Sequence, residues 1–206
     1  MKLSNCAQTS SARKQLKDLR SLCLRVLSTV LNKYEDYDYD CYFWDFFFES
    51  VKPLIDAFKL EGSSSEKPSS MFSCFLAMSR SHWLVSHLRR EKNQVPNIFS
   101  ILTVKTASKA ILSFILKFIE NLLNLDNELD DEDSAIKTVL LPNLETLIFS
   151  LHHLFQSAAK CHCPAEVSVK AVQVLRDILP VAGTESTKEV LNSLSPLLAS
   201  AELDMR

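Results

Sequence analysis

The sequence predicts an all-α chain built as a solenoid of stacked helix pairs, and three observations predict it. Only Gly62 and Gly183 occur in 206 residues, too few to build the φ > 0 turns of a sheet-rich fold. Apolar residues recur at three- and four-residue steps through most of the chain, the helical period. Prolines stand at near-regular intervals: Pro53, Pro96 and Pro142 are 43 and 46 residues apart. Each is expected to open a similar helical segment, with an apolar residue two positions on (Ile55, Ile98, Leu144) and five positions on (Phe58, Ile101, Leu147). A period of about 40–47 residues with paired helices is that of HEAT and armadillo arrays, in which one pair cannot bury its apolar face alone and stacks on the next. Pro180, 38 residues further, is followed by Val181-Ala182-Gly183 and breaks the pattern. Residues 1–206 therefore read as a single α-solenoid segment of three to four imperfect repeats.

The first helix places Leu16, Leu19, Cys23, Val26, Leu27 and Val30 on one stripe, with Arg13, Lys14, Lys17 and Arg20 outside, and ends near Tyr34. The stretch from Glu35 to Asp40 is acidic and tyrosine-rich. The aromatic block Tyr42 to Phe48 competes between strand, which aromatic residues favour, and helix, which its neighbours and the missing turn residues favour; helix is expected. Its rings read as core, or in part as a surface that stacks on a further repeat. Residues 62–70 form a polar, serine-rich linker expected to be mobile, with Ser70 capping the next short helix.

The clearest helix starts at Thr106. Ala107, Ala110, Ile111, Phe114, Ile115, Phe118, Ile119, Leu122 and Leu123 make its apolar face, and Ser113, Lys117, Glu120, Asn121 and Asn124 its solvated arc. An acidic loop at 126–133 ends it. Leu144, Leu147, Ile148, Leu151, Leu154, Phe155 and Ala158 mark the next helix, which runs to a Cys161-His162-Cys163-Pro164 turn. Ala171, Val172, Leu175, Ile178 and Leu179 mark another. Val190, Leu191, Leu194, Leu197 and Leu198 mark a last one, with Ser186-x-x-Glu189 as its capping box and Pro196 kinking or splitting it.

Composition narrows function by exclusion. Glycine-rich phosphate loops and nucleophile elbows need several glycines close together, and the chain has none of these clusters. A net charge of −2 gives no global pull toward nucleic acid or acidic membranes, so such contacts are expected to be local. Residues 1–14 are polar and do not read as a secretory signal. The most apolar stretch, Ala110 to Leu125, is interrupted by Lys117 and Glu120, so a soluble protein is expected. Six cysteines scattered without an export signal read as reduced packing residues.

With the helical array established, two blocks gain meaning: Tyr42-Phe43-Trp44 through Ser50-Val51-Lys52-Pro53-Leu54, and the linker Gly62 to Ser70. Phe72-Ser73-Cys74-Phe75-Leu76-Ala77-Met78-Ser79-Arg80-Ser81 and Lys117-Phe118-Ile119-Glu120-Asn121-Leu122-Leu123 join them. These segments, between Tyr39 and Gln156, resemble the giant HEAT-repeat component of the U3 small-subunit processome, in particular its plant versions. The similarity is run-on rather than carried by a short motif. Members of that family are many times longer, so the resemblance implies a fragment of a larger array. It also implies a scaffold without catalytic residues or cofactor, located in the nucleus and nucleolus. Its implied partners are processome proteins, U3 and pre-rRNA ribonucleoprotein, and neighbouring repeats, with neither a membrane nor a small-molecule substrate.

The residues themselves offer few chemical constellations. Arg80, His82, Trp83, His87, Arg89, Arg90 and Lys92 mix basic groups with an aromatic ring, a combination suited to phosphate contacts and stacking. Arg80, His82, Arg89, Arg90 and Lys92 are therefore the candidate contacts to RNA or a partner. The same segment also makes an ordinary amphipathic helix with Trp83, Leu84 and Leu88 buried. Arg13, Lys14, Lys17 and Arg20 form a second basic face without an aromatic companion. Cys161, His162 and Cys163 with His152 and His153 come nearest to a metal site, but a structural zinc site uses four ligands in two spaced pairs, and no metal is expected. The 126–133 run lacks the glycine and alternation of a calcium loop and reads as solvated acid. A scaffold is the leading reading. A helical adaptor that holds a peptide helix in a groove, outside ribosome biogenesis, is the alternative.

Overall fold

The computed structural model describes residues 10–61, 70–125, 134–160 and 162–204, and among them every regular element is helical. The helices are α1 (Ser10–Lys33), α2 (Cys41–Glu61), α3 (Ser70–Met78), α4 (His82–Val85) and α5 (Gln94–Ser100). After them come α6 (Lys109–Asn124), α7 (Leu144–Ala159), α8 (Ala165–Ile178), α9 (Gly183–Asn192) and α10 (Ser195–Asp204). No helix among the described residues is long and apolar enough to cross a membrane.

Two layers alternate along the chain. In the first, α1 packs on α3, α3 on α6 and α6 on α8; in the second, α2 packs on α5, α5 on α7 and α7 on α10. Paired contacts give the direction of the first layer. Phe72 meets Phe114 edge-on at 6.5 Å, and seven residues later, on α6 and just past the end of α3, Asn121 Nδ2 donates to Ser79 Oγ at 3.0 Å. Both pairs keep a 42-residue offset, so α3 and α6 run parallel and in register. Ser21 and Ser70 share a hydroxyl contact at 3.0 Å, and Cys74 Sγ donates to the Leu24 carbonyl at 3.3 Å, offsets of 49 and 50 residues. The contacts between successive first-layer helices therefore step 42 to 50 residues along the chain, overlapping but exceeding the 40–47 that the proline spacing predicts, and the expected HEAT-like class is the one observed.

Prolines mark the second layer. Pro53 lies in α2, Pro96 in the first turn of α5, Pro142 in the 3₁₀ turn Leu141–Asn143 ahead of α7, and Pro196 at the second residue of α10. Two expectations change. Pro53 sits inside a long helix rather than opening a segment, and the fourth proline of the series is Pro196, while Pro180 lies in the turn after α8. Ile55, Ile98 and Leu144, two positions after the first three prolines, are all buried.

The aromatic block is helical. Asp40 accepts a hydrogen bond from the Phe43 N–H at 2.8 Å and so caps α2, after which Trp44, Phe47, Phe48, Val51 and Ile55 face the core at helical spacing. Each fully buried ring is worth roughly 2–3 kcal/mol. Clear α6 starts at Lys109 rather than Thr106, because Ser108 takes the cap by accepting from the Ile111 N–H. Asn121, expected in solvent, is buried against Ser79.

Other faces shift as well. In α8 Val167 and Val174 join the core and Val172 does not. The last apolar run splits at Ser193-Leu194 into α9 and α10, as Pro196 predicts, but of its leucines Leu191 and Leu198 are exposed while Val190 is buried. Ser186 lies inside α9, whose cap position is Ala182, so the expected capping box is not formed. Ser70 is the first residue of α3, with its hydroxyl on Ser21. In α1 only Leu31 is fully buried, with Leu24 and Leu27 packed against the core; Leu19, Cys23 and Val26 of the expected stripe face solvent. The linker at 62–69 and the acidic loop at 126–133 lie outside the described residues.

Candidate functional site

The basic segment occupies the connector between α3 and α5. Ser81 caps α4 by accepting from the Leu84 N–H at 3.4 Å, and a 3₁₀ turn, Ser86–Arg89, continues the chain toward α5. This two-turn connector buries Leu84, Val85 and Leu88 and leaves Arg80, His82, Arg89, Arg90 and Lys92 exposed. Trp83 is 66% exposed, so the expectation of an ordinary amphipathic helix with a buried indole fails for this residue. Its neighbours Leu84 and Leu88 supply the core contacts instead.

The connector packs against its counterpart between α6 and α7, the π-helical turn Ile136–Leu140. Between them lies an open cleft of about 350 Å³, walled by Leu88, Arg89, Glu91, Lys92 and Val95 on one side and by Thr138, Val139, Pro142 and Asn143 on the other. Two of the five candidate residues, Arg89 and Lys92, thus share a cleft at the edge where successive connectors stack. Arg80, His82 and Arg90 do not line it.

Counter-ions moderate the charge. Arg90 Nη2 donates to Asp45 Oδ1 at 3.1 Å, and Glu91 pairs with Lys52 at 3.6 Å, tying the connector to α2. Both pairs are solvent-exposed and contribute little to stability, about 0–1 kcal/mol each. Among the described residues Arg80 and Lys92 make no ion pair. His87 lies flat on Trp44, with ring centroids 4.2 Å apart and planes 18° apart. Burial against that ring, with the Arg90 guanidinium nearby, holds the His87 imidazole below its ordinary pKa, while Asp38 opposes the shift. Stacked on Trp44, His87 is a packing residue rather than a phosphate ligand.

Elsewhere the candidate chemistry dissolves into packing. His152 Nδ1 lies 3.3 Å from the Ser193 carbonyl and Nε2 lies 2.9 Å from Gln156 Nε2; with the proton on Nδ1 both contacts are hydrogen bonds, and the ring ties α7 to the α9–α10 turn. His153 meets exposed Phe149 edge-on at 5.0 Å. Cys163 is half-buried against the core, and burial pushes its thiol up. Cys161 lies outside the described residues, and among those described no group of three His, Cys, Asp or Glu side chains converges on a metal position. Arg13, Lys14, Lys17 and Arg20 are exposed on the N-terminal half of α1.

Sequence reasoning missed the pairing of Arg90 with Asp45 and the stack of His87 on Trp44. The 45-residue offset of the first, close to the repeat period, is the signal that could have found it. A family profile described as U3 small nucleolar RNA-associated protein 20, N-terminal, matches residues 2–205. No curated protein and no solved structure matches the chain.

Proposed function

The chain belongs to the family of U3 small nucleolar RNA-associated protein 20, N-terminal region, and from that premise we propose that it is a non-catalytic scaffold of the small-subunit processome. In this reading it supports pre-rRNA processing toward 18S rRNA and 40S assembly in the nucleolus, by holding processome proteins and U3 or pre-rRNA ribonucleoprotein. The family match over nearly the whole chain is the observation that carries the reading. The fold supports it: parallel helices stacked at a 42- to 50-residue step offer long edges rather than one enclosed pocket, and such arrays bind through several weak patches. In this reading residues 1–206 are one α-solenoid segment of three to four imperfect helix-pair repeats.

Arg80, His82, Arg89, Arg90 and Lys92 are the proposed contacts to RNA or a partner, with exposed Trp83 as the stacking surface beside them. Tagged chain, recovered from nuclear extract, is expected to bring down U3 RNA and 18S precursors. Recovery at background level, with the tag outside the nucleolus, overturns the proposal. At the edge itself, Arg80→Glu with Lys92→Glu leaves the Arg90–Asp45 pair intact and is expected to weaken RNA retention and lower its salt dependence. Unchanged, salt-insensitive retention removes this edge from the function.

A further inference from the structure

The segment 34–56 carries a second surface of opposite character. On α2 the face away from the core presents Tyr42 and Phe46 one turn apart, 80% and 72% exposed. Large rings at that exposure are uncommon on a helix that buries its other face, and Tyr42 and Phe46 occupy the first two turns of α2 beside further rings. Phe43, half-buried beside them, stacks on Tyr39 at 4.9 Å, and Tyr39 meets Tyr37 edge-on at 5.0 Å. The Tyr39 hydroxyl donates to the Tyr34 carbonyl at 2.9 Å, folding the loop back over the first turn of α2. The result is a run of ring contacts from Tyr37 through Tyr39 to Phe43, held by hydrogen bonding and by packing on buried Trp44, with Tyr42 and Phe46 exposed on the outer face of the helix turn that follows.

Carboxylates frame that strip. Glu35, Asp36, Asp38 and Glu49 are exposed and make no ion pair among the described residues, whereas Asp40 is engaged as the α2 cap and Asp45 by Arg90. The field along the strip is therefore negative, which disfavours a nucleic-acid backbone. Just before the strip, Lys33 Nζ stands 5.4 Å from the centre of the adjacent Tyr34 ring, the kind of cation–ring contact an aromatic surface supports. Exposed aromatic faces interleaved with unpaired carboxylates are the complement of a chain that alternates positive charge with flat, weakly hydrated groups, and the guanidinium of arginine is that group.

We propose that the Tyr37–Phe46 strip docks an arginine-rich, extended segment of a protein partner, its guanidinium groups stacking on Tyr42 and Phe46 and pairing with Asp36, Asp38 and Glu49. This surface lies on α2 and the loop before it, so it stands independently of the reading of the basic connector. A fluorescent peptide of repeated Arg-Gly dipeptides, titrated onto the 206-residue chain at 0.15 M salt, is the probe, compared with a Lys-Gly peptide of equal charge and with a single-stranded RNA oligonucleotide.

The arginine peptide is expected to bind several-fold more tightly than the lysine peptide, because only guanidinium both stacks and pairs. Tyr42→Ser with Phe46→Ser is expected to weaken it about tenfold, and Asp36→Asn, Asp38→Asn and Glu49→Gln together to weaken it comparably and flatten its salt dependence. All five side chains are solvent-exposed, and unchanged thermal unfolding confirms that each variant folds. Phe149→Ser, at an exposed ring on α7, is expected to leave peptide affinity unchanged. Equal affinity for the double aromatic variant and the native chain overturns the proposal. So does RNA binding that the Tyr42 and Phe46 substitutions abolish, which would assign the strip to nucleic acid.

Discussion

Asn121→Ala separates the solvated position that helical periodicity assigns to this residue from the buried position it occupies. On the surface of α6 the substitution would change stability by no more than about 0.5 kcal/mol. Instead Asn121 is 8% exposed, and its Nδ2 donates at 3.0 Å to Ser79 Oγ, which in turn donates to the Leu76 carbonyl at 3.0 Å. Truncation removes one buried hydrogen bond, worth about 1 kcal/mol, and leaves the Ser79 oxygen without its donor. It also opens a small void between α3 and α6, which adds roughly 1–2 kcal/mol. The expected loss is about 2–3 kcal/mol, read as a fall in thermal midpoint of about 5–10 °C for a chain of this size. Urea unfolding followed by far-ultraviolet circular dichroism measures it directly. The cycle with Ser79→Ala isolates the pair and should give a coupling near 1 kcal/mol. A single-variant loss below about 0.5 kcal/mol, or additive single effects, would refute the argument and return Asn121 to solvent.

Three further outcomes are expected. Burial pushes the Cys74 thiol up to about 12, whereas Cys23 and Cys41 are exposed, so maleimide at pH 8 should label Cys23 and Cys41 quickly and reach Cys74 only on unfolding; rapid native labelling of Cys74, mapped by mass spectrometry, contradicts its placement. His87 has its folded pKa below the unfolded value of 6.5, so the unfolded chain binds the proton more readily. Its contribution to stability is therefore complete above about pH 6.5 and lost as pH falls toward the depressed value; a His87→Gln chain should lose less stability between pH 7.5 and 5.5 than the native one, and parallel curves contradict the stack. Gly183 opens α9 with φ of +71°, and a methyl group there would meet nothing within 4 Å, so Gly183→Ala should cost about 1 kcal/mol through backbone strain alone, and a rise in thermal midpoint would show that the turn relaxes.

Where the apolar arc of a helix is narrow, its face was legible in the sequence. In α7 the spacing of Leu144, Leu147, Ile148, Leu151, Leu154 and Phe155 admits one buried side, and all six are buried. In α1 the apolar residues from Leu16 to Leu31 spread over half the circumference. Periodicity then cannot say which part a neighbour covers, and α3 covers Leu24, Leu27 and Leu31 while Leu19 and Val26 stay in solvent. The candidate edge was legible only as composition. Arg80 to Lys92 form a basic run in the sequence, but the opposing wall of the cleft comes from residues about 50 positions away, and the counter-ion of Arg90 from 45 positions before it.

By itself the sequence determined that this chain is all-α and of the helical-repeat class, because scarce glycine and the helical period of apolar residues are local properties. Tertiary structure alone decided which helices touch, which proline belongs to which repeat, and which charges stay unpaired. Those depend on contacts between residues 42 to 50 positions apart, where a side chain's environment is set by whatever element stacks against it rather than by its own neighbours in the chain.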